Sequence, residues 1–164
     1  MLPSQRENGG GFMQKITSFT VDHNKIIPGI YISRIDGDIT TYDIRTRKPN
    51  CGDFMDNSTM HTVEHLFATY IRNSSLSDDV IYFGPMGCQT GFYLLLRNAD
   101  HKKATDEILK TFEKILAHEG EVFGCSEIEC GNYKSLELDC AKKEALRFLK
   151  DIKNKDINDL DYPK

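Results

Sequence analysis

An α+β fold, with an antiparallel β-sheet covered by helices on one face, is predicted for this chain by two features of its sequence. Short segments in which apolar and polar residues alternate occur early in the chain, and the hairpin signal Asp36-Gly37-Asp38 joins two of them. Three further segments carry apolar residues at every third or fourth position, which is the helical period. Hairpin strands combined with separate amphipathic helices are typical of an antiparallel sheet that buries one face under helices.

Five segments are predicted to be strands, because they are short, rich in apolar residues and bounded by turn residues. They cover residues 16–21, 30–35, 39–45, 80–83 and 92–96. Alternation in the third segment places Tyr42 and Ile44 on one face, since neighbouring side chains of a strand point to opposite sides. A loop with two glycines, residues 84–88, separates the last two strands.

Three amphipathic helices are predicted from the apolar period. The first follows an N-cap at Ser58 or Thr59, whose hydroxyl groups can accept a hydrogen bond from a free backbone N–H, and it runs to about residue 73. The second covers residues 103–118 and is expected to stop at Gly120. The third covers residues 138–152, after an irregular segment.

The composition indicates a globular protein of one domain. The chain has 164 residues, of which 39% are apolar and 28% are charged, and 21 basic against 25 acidic residues give a net charge of −4. A surplus of acidic residues argues against a nucleic-acid binder and against a binder of anionic membranes, since both need cationic surfaces. No apolar run approaches the roughly 18 residues that a membrane span requires.

Residues 1–12 are predicted to be an added leader or linker rather than part of the fold. The segment is polar, carries three consecutive glycines and lacks the apolar stretch of a secretory signal. Amphipathic patterning begins only after Met13. We therefore expect a native start at Met13 and a single domain over residues 13–164.

Five cysteines occur in the chain without a Cys-x-x-Cys pair and without an export signal. An odd number of cysteines in this context indicates reduced thiols, as in a cytoplasmic protein. Cys51, Cys125 and Cys140 are interpreted as inert thiols, some of them buried. The other two cysteines lie in unusual surroundings and are candidates for a function.

The first predicted helix contains a candidate metal-binding pair. His61 and His65 are four residues apart and therefore lie on one face, where both imidazoles can bind one metal ion, and Glu64 lies beside them. This order, H-x-x-E-H, is the inverse of the more common zinc-binding helix motif. The alternative is one buried histidine, one exposed histidine and a solvated glutamate.

A third metal ligand must come from another part of the chain, since catalytic metal sites usually have three protein ligands and one open position. Cys130 is the leading candidate, because Gly131 lets the backbone pass close to a metal. A thiolate alongside two imidazoles suits Zn or Fe(II). His23, His101 and His118 are rival ligands, and a small buried side chain is the alternative role for the cysteine.

Cys88 lies in the loop between the last two strands, with glycines on both sides. The glycines leave the thiol approachable, and a nucleophilic or acid/base cysteine needs such access together with a charge partner. The alternative is an inert, packed thiol. The loop context favours a functional cysteine.

Taken together, these motifs resemble the S-ribosylhomocysteine lyase family, also called LuxS. The matching segments occur in the family's order and at its approximate spacing. They read SFTVDHN at 18–24, YDIR at 42–45 followed by PN at 49–50, HTVEHL at 61–66, PMGCQTG at 85–91 and ECGN at 129–132. The resemblance extends over residues 13–155, and five motifs in one order make it specific.

The resemblance implies roles for the site residues. His61, His65 and Cys130 match the family's metal ligands, and the metal is Fe(II) in the native enzymes, with Zn or Co often found or substituted. Glu64 and Cys88 match its two acid/base residues.

The resemblance also implies substrate contacts and a homodimer. Ser18, His23 and Arg45 match residues that surround the substrate. In the family the active site lies at a homodimer interface, so Ser18 and His23 are expected to serve the metal of the partner subunit. Tyr82 departs from the pattern of some members, which carry an acidic residue at this position, near the homocysteine part of the substrate.

The implied activity is the cleavage of S-ribosylhomocysteine to homocysteine and 4,5-dihydroxy-2,3-pentanedione, the precursor of autoinducer-2, by metal-assisted carbonyl migration and β-elimination. The reaction involves no net redox change and no organic cofactor. Two other functions remain open for the same residues: a metallopeptidase of the inverted H-x-x-E-H type, in which Glu64 activates water, and a metal or redox sensor without turnover. Turnover of a thioether sugar distinguishes the first function from both others.

Overall fold

Four strands form one antiparallel sheet in the order β1-β2-β4-β3. The structure is a computed structural model that describes residues 13–164, so the predicted leader at 1–12 lies outside the described residues. The strands are β1 (Gly29–Asp36), β2 (Ile39–Arg45), β3 (Val80–Pro85) and β4 (Gly91–Arg97). Four of the five predicted strands are therefore confirmed, with bounds that differ by at most two residues.

Three helices follow the predicted pattern: α1 (Asn57–Arg72), α2 (His101–Ala117) and α3 (Leu138–Ile152). α1 begins one residue before the predicted cap, because the Asp56 carboxylate accepts a hydrogen bond from the Thr59 N–H and takes the capping role. Asp100 caps α2 in the same way through the Lys103 N–H, so α2 begins two residues earlier than predicted. In the described part of the chain, no helix combines the length and the apolar character that a bilayer crossing demands.

The core lies between the three helices and one face of the sheet. Tyr42 and Ile44 are fully buried on this face, as predicted from alternation. The Phe83 ring stacks on Phe67 of α1 at 4.0 Å and on Phe92 of β4 at 5.2 Å between ring centroids. Burial of each such ring contributes about 1.5–3 kcal/mol relative to an exposed one. The predicted α+β architecture, with the helices on one face, is confirmed.

The prediction of a strand over residues 16–21 is wrong. Residues Thr17–Phe19 form a single 3-10 turn, in which the Phe19 N–H donates to the Ile16 carbonyl. Ile16 and Phe19 are more than half exposed, so the alternating apolar side chains of this segment have no core to enter within the described chain. An alternating apolar and polar pattern leads to a strand only where a neighbouring strand can pair with the segment. Here hydrogen bonds within the turn satisfy the backbone groups instead.

The second face of the sheet carries charged and aromatic residues. Because Tyr42 and Ile44 point to the core, Asp43 and Arg45 of β2 point to the opposite face. Tyr93 of β4 lies directly across from Asp43. Asp43 and Arg45 are nevertheless almost completely buried, because segments before β1 and after α3 pack over them.

Candidate active site

Three potential metal ligands converge beside α1. His61 and His65 lie one turn apart, with ring centroids separated by 4.6 Å. Cys130 comes from the irregular segment between α2 and α3, and its Sγ lies 3.4 Å from Nε2 of His61. One ligand atom from each of these residues lies within 4.8 Å of the other two. The structure therefore brings together the three residues that the sequence indicated.

Both imidazoles are oriented through their Nδ1 atoms. Nδ1 of His65 lies 2.8 Å from the Phe123 carbonyl, which can only accept, so this nitrogen carries the hydrogen. Nδ1 of His61 lies 2.5 Å from the Ser135 hydroxyl, which donates its own hydrogen to the Asn132 carbonyl and so accepts from the ring. In both rings this leaves the lone pair of Nε2 free for a metal, as is usual for metal-binding histidines.

The donor set fits a divalent cation with one open position. At ordinary Zn–N and Zn–S lengths, a tetrahedral site separates nitrogen and sulfur donors by about 3.5 Å, close to the observed distance between His61 and Cys130. The Asn132 N–H donates to the Cys130 sulfur at 3.4 Å and so helps to fix the position of this side chain. Burial and the neighbouring His65 lower the pKa of His61 against the opposing effect of Glu64, so the neutral, ligating imidazole is favoured.

Gly124 leaves room for the ring of His65. Its φ is +71°, and a Cβ at this position would lie 3.2 Å from Nδ1 of His65. We expect Gly124→Ala to weaken metal binding by about 10- to 100-fold, the usual cost of disturbing a residue that orients a ligand. Competition with a chromophoric chelator measures this change.

Gly120→Ala is the matched control for this prediction. Gly120 has a comparable φ of +87°, but nothing lies within 4 Å of its Cβ position. Both substitutions strain the backbone, whereas only the change at Gly124 meets the histidine. Equal metal affinities in the two variants would contradict the expected role of Gly124.

A second group of predicted residues lines a separate cavity of about 320 Å³. Cys88 is exposed at its edge, in the turn between β3 and β4. The cavity also contains three residues that were predicted to surround a substrate, namely Ser18, His23 and Arg45. In the part of the chain that the structure describes, no residue of the metal-ligand group lines it.

Arg45 is the charge partner of Cys88. Its Nη1 donates to the Thr90 hydroxyl at 2.7 Å and faces the Cys88 sulfur at 3.7 Å. The rest of the guanidinium is held by Asp43, which accepts from Nε at 3.1 Å and from Nη2 at 2.6 Å. Burial alone would lower the pKa of Arg45, but the Asp43 carboxylate outweighs burial and raises it, so Arg45 stays cationic.

The rival metal ligands make other contacts. Nδ1 of His101 lies 2.6 Å from the Tyr42 hydroxyl at the start of α2. His118 is bound on both sides, by the Tyr70 hydroxyl at 2.6 Å and the Glu121 carbonyl at 2.8 Å. His23 lies in the cavity with Cys88. None of the three belongs to the metal-ligand group found among residues 13–164.

Several residues of the two groups were missed by sequence reasoning. Asp43 could have been found, because it lies two positions before Arg45 on a strand and therefore shares its face. Ser135 and the Phe123 carbonyl had no comparable signal, since both lie in irregular backbone whose path is set by tertiary contacts. Thr90 likewise became recognisable only through its hydrogen bond to Arg45.

Comparison with known proteins gives a consistent family match. The family model described as S-Ribosylhomocysteinase (LuxS) matches residues 16–159. A protein of Borreliella afzelii named S-ribosylhomocysteine lyase is 44% identical over 157 residues, covering 92% of this chain and 100% of that protein. Proteins of the same name from Clostridium beijerinckii and Finegoldia magna are 45% and 44% identical, covering 85% and 92% of this chain and 92% and 99% of their own lengths.

Proposed function

Because this chain belongs to the S-ribosylhomocysteinase (LuxS) family, we propose that it cleaves S-ribosylhomocysteine to homocysteine and 4,5-dihydroxy-2,3-pentanedione. The observation that carries the proposal is the convergence of two imidazoles and one thiol, with the free nitrogens of both rings available to one cation. Residues 13–164 then form a single catalytic, metal-binding domain. Reduced thiols at all five cysteines suit a cytoplasmic enzyme.

His61, His65 and Cys130 would hold one divalent cation per subunit. Nitrogen and thiolate donors suit Fe(II), which we propose as the native metal, and Zn or Co can take its place in the purified protein. When bound, the cation supplies Lewis-acid polarisation of the oxygen atoms of the sugar. Within residues 13–164 the group that converges consists of three protein ligands, the usual number for a catalytic metal, and a fourth position would then be available to those oxygens.

The chemistry of the substrate requires repeated proton transfers. Homocysteine can leave from carbon 5 only after a proton is removed from carbon 4, and that proton becomes acidic once carbon 3 carries a carbonyl group. The carbonyl starts at carbon 1 and moves twice. One proton passes from carbon 2 to carbon 1, and a second passes from carbon 3 to carbon 2. Removal of the carbon 4 proton then expels the thiolate of homocysteine.

Cys88 and Glu64 are proposed to carry these protons. The Arg45 guanidinium lies 3.7 Å from the Cys88 sulfur and places a positive charge beside it, as a cysteine that accepts a proton from carbon requires. Glu64 lies on the metal-binding turn of α1 and would act from the metal side of the sugar. General acid–base groups of this kind contribute about 10²- to 10⁴-fold each. Ser18, His23 and Arg45 would hold the substrate in the cavity.

The placement of the two groups supports a homodimer. α1 packs on the face of the sheet that carries the core, whereas Arg45 belongs to the opposite face. A site that contains both the cation and Cys88 is then built from two copies of the chain, with the cavity of one copy facing the metal centre of the other. Phe19 lines the cavity and is 65% exposed, as expected for a side chain at an interface.

Mixed dimers test this arrangement. We expect Cys88→Ala and Cys130→Ala, each inactive alone, to recover about a quarter of wild-type activity when co-expressed in equal amounts. Half of the dimers are then mixed, and each mixed dimer contains one intact site. Differently tagged chains allow the mixed dimers to be isolated and assayed for thiol release.

The control for the mixed dimers combines two variants that each lack one of the proposed metal ligands. Cys130→Ala co-expressed with His61→Ala leaves every dimer without an intact donor set, so no activity should return. Purified Cys88→Ala/Cys130→Ala mixed dimers that remain inactive would contradict a site shared between subunits.

The activity itself is tested by thiol release from synthetic S-ribosylhomocysteine under anaerobic conditions. Protein as purified, metal-stripped protein and stripped protein with added Fe(II) or Co(II) are compared. Release that disappears on stripping and returns with the cation is the expected result. Fully metal-loaded protein that releases no thiol would contradict the proposed function.

A further inference from the structure

We infer that Tyr162 is a positioning residue for Cys88, acting through Asp43 and Arg45. The inference rests on the proposed function, in which Cys88 carries protons. Tyr162 lies beyond residues 16–159, which the family model matches. Its contacts nevertheless join the end of the chain to the cavity that contains Cys88.

The segment that carries Tyr162 is fixed against β1. The Leu160 side chain is buried, and its carbonyl accepts a hydrogen bond from the Ile32 N–H at 2.9 Å. The Tyr162 ring stacks on Tyr31, with centroids 4.9 Å apart and planes inclined by 22°. Lys155 adds a further bond to the Pro28 carbonyl. These contacts hold the Tyr162 hydroxyl over the face of the sheet that carries Asp43.

The hydroxyl begins a continuous series of hydrogen bonds that ends at the cysteine. Tyr162 donates to Oδ2 of Asp43 at 2.7 Å, the same oxygen that accepts from Nη2 of Arg45. The Asp43 and Arg45 side chains are only 1% and 2% exposed. Nη1 of Arg45 then reaches Thr90 and the sulfur of Cys88. Loss of the Tyr162 hydroxyl therefore alters the electrostatic environment of the Cys88 thiol through two buried, charged groups.

The direction of the effect follows from the charges. A buried carboxylate is stabilised by each hydrogen bond that it accepts, and among the described side chains that donate to Asp43 only Tyr162 is uncharged. Without the hydrogen bond from Tyr162, the negative charge of Asp43 is less compensated and interacts more strongly with Arg45. Less of the positive potential of Arg45 then remains at the Cys88 sulfur. Burial and the Asp43 carboxylate raise the pKa of Tyr162 well above its usual value, so the hydroxyl remains a donor.

The test compares Tyr162→Phe with Tyr31→Phe in the full-length, metal-loaded protein. Both changes remove one hydroxyl from the same pair of stacked rings, but the Tyr31 hydroxyl donates to the Ile27 carbonyl and not to Asp43. The rate of Cys88 alkylation by iodoacetamide is followed by mass spectrometry of the Cys88 peptide. kcat and KM for thiol release are measured in parallel.

Tyr162→Phe is expected to slow both Cys88 alkylation and kcat by about three- to tenfold, the range that corresponds to the net contribution of one hydrogen bond. KM should change by less than about twofold in Tyr162→Phe, and Tyr31→Phe should leave both rates within about twofold of the wild type. Unchanged alkylation in Tyr162→Phe, or equal slowing in Tyr31→Phe, overturns the inference. Slower alkylation in a protein that never releases thiol supports the positioning role, while the proposed lyase function fails separately.

Discussion

Cys88→Ala is expected to reduce turnover by about 10²- to 10⁴-fold while the metal content of the protein stays unchanged. Cys88 lies in the cavity with Arg45 and contacts Thr90, so its replacement removes the proposed proton acceptor and leaves the three proposed metal ligands unchanged. Thiol release measures turnover, and elemental analysis of the purified variant measures its metal. An alanine variant that is equally loaded and turns over normally would remove Cys88 from the mechanism.

Cys51→Ala provides the control for the loss of a thiol. Cys51 is exposed, lies in the loop before α1 and is not among the residues that line the cavity. Its replacement should leave both turnover and metal content near the wild-type values. Substrate binding gives a second check, because Cys88→Ala retains Ser18, His23 and Arg45 and should still bind S-ribosylhomocysteine.

Cys130→Ala is expected to lose metal and activity together. Two imidazoles from one helix turn remain, and three protein ligands are the usual minimum for a catalytic site. The variant should also lose the stabilisation that bound metal gives, about 2.7 kcal/mol in the free energy of unfolding when the free metal is at 100 times its Kd. Metal analysis, thiol release and thermal unfolding with and without added Co(II) measure the three effects.

Cys125→Ala is the matched control in the same segment. Cys125 is partly buried near the core but is not in the metal-ligand group. Its variant should keep its metal and its activity. If Cys130→Ala retained a full complement of tightly bound cation, Cys130 would not be a ligand and another donor would have to complete the site.

The sequence predicted those parts of the fold and site in which local pattern and tertiary structure agree. The four-residue spacing of His61 and His65 places both rings on one face of any helix, and α1 supplies that helix. The bounds of α1 were less accurate, because Asp56 and Ser58 are both good caps and only the folded backbone shows which one accepts a bond.

The parts that escaped prediction depend on distant residues. Residues 16–21 alternate like a strand, yet no strand within the described chain pairs with them and a single turn forms instead. Tyr162 meets Asp43 across 119 positions of sequence, and no periodic pattern reports such a contact. The separation of Cys88 from the metal ligands could also be seen only in the structure. It depends on the face of the sheet to which the Arg45 side chain of β2 points.

A metal ion bound at the proposed site would have a second role, because it would cross-link α1 to the irregular segment between α2 and α3. Residues 118–137 contain one short 3-10 turn. They contact α1 through the Phe123 carbonyl, Cys130 and Ser135, all of which lie at or beside the two histidines. A cation bound there closes a loop from residue 65 to residue 130 and lowers the conformational entropy of everything between them. Ordering of the segment and loading of the cation are thus linked equilibria, in which a change that loosens the segment weakens metal binding and loss of the metal loosens the segment by the same free energy.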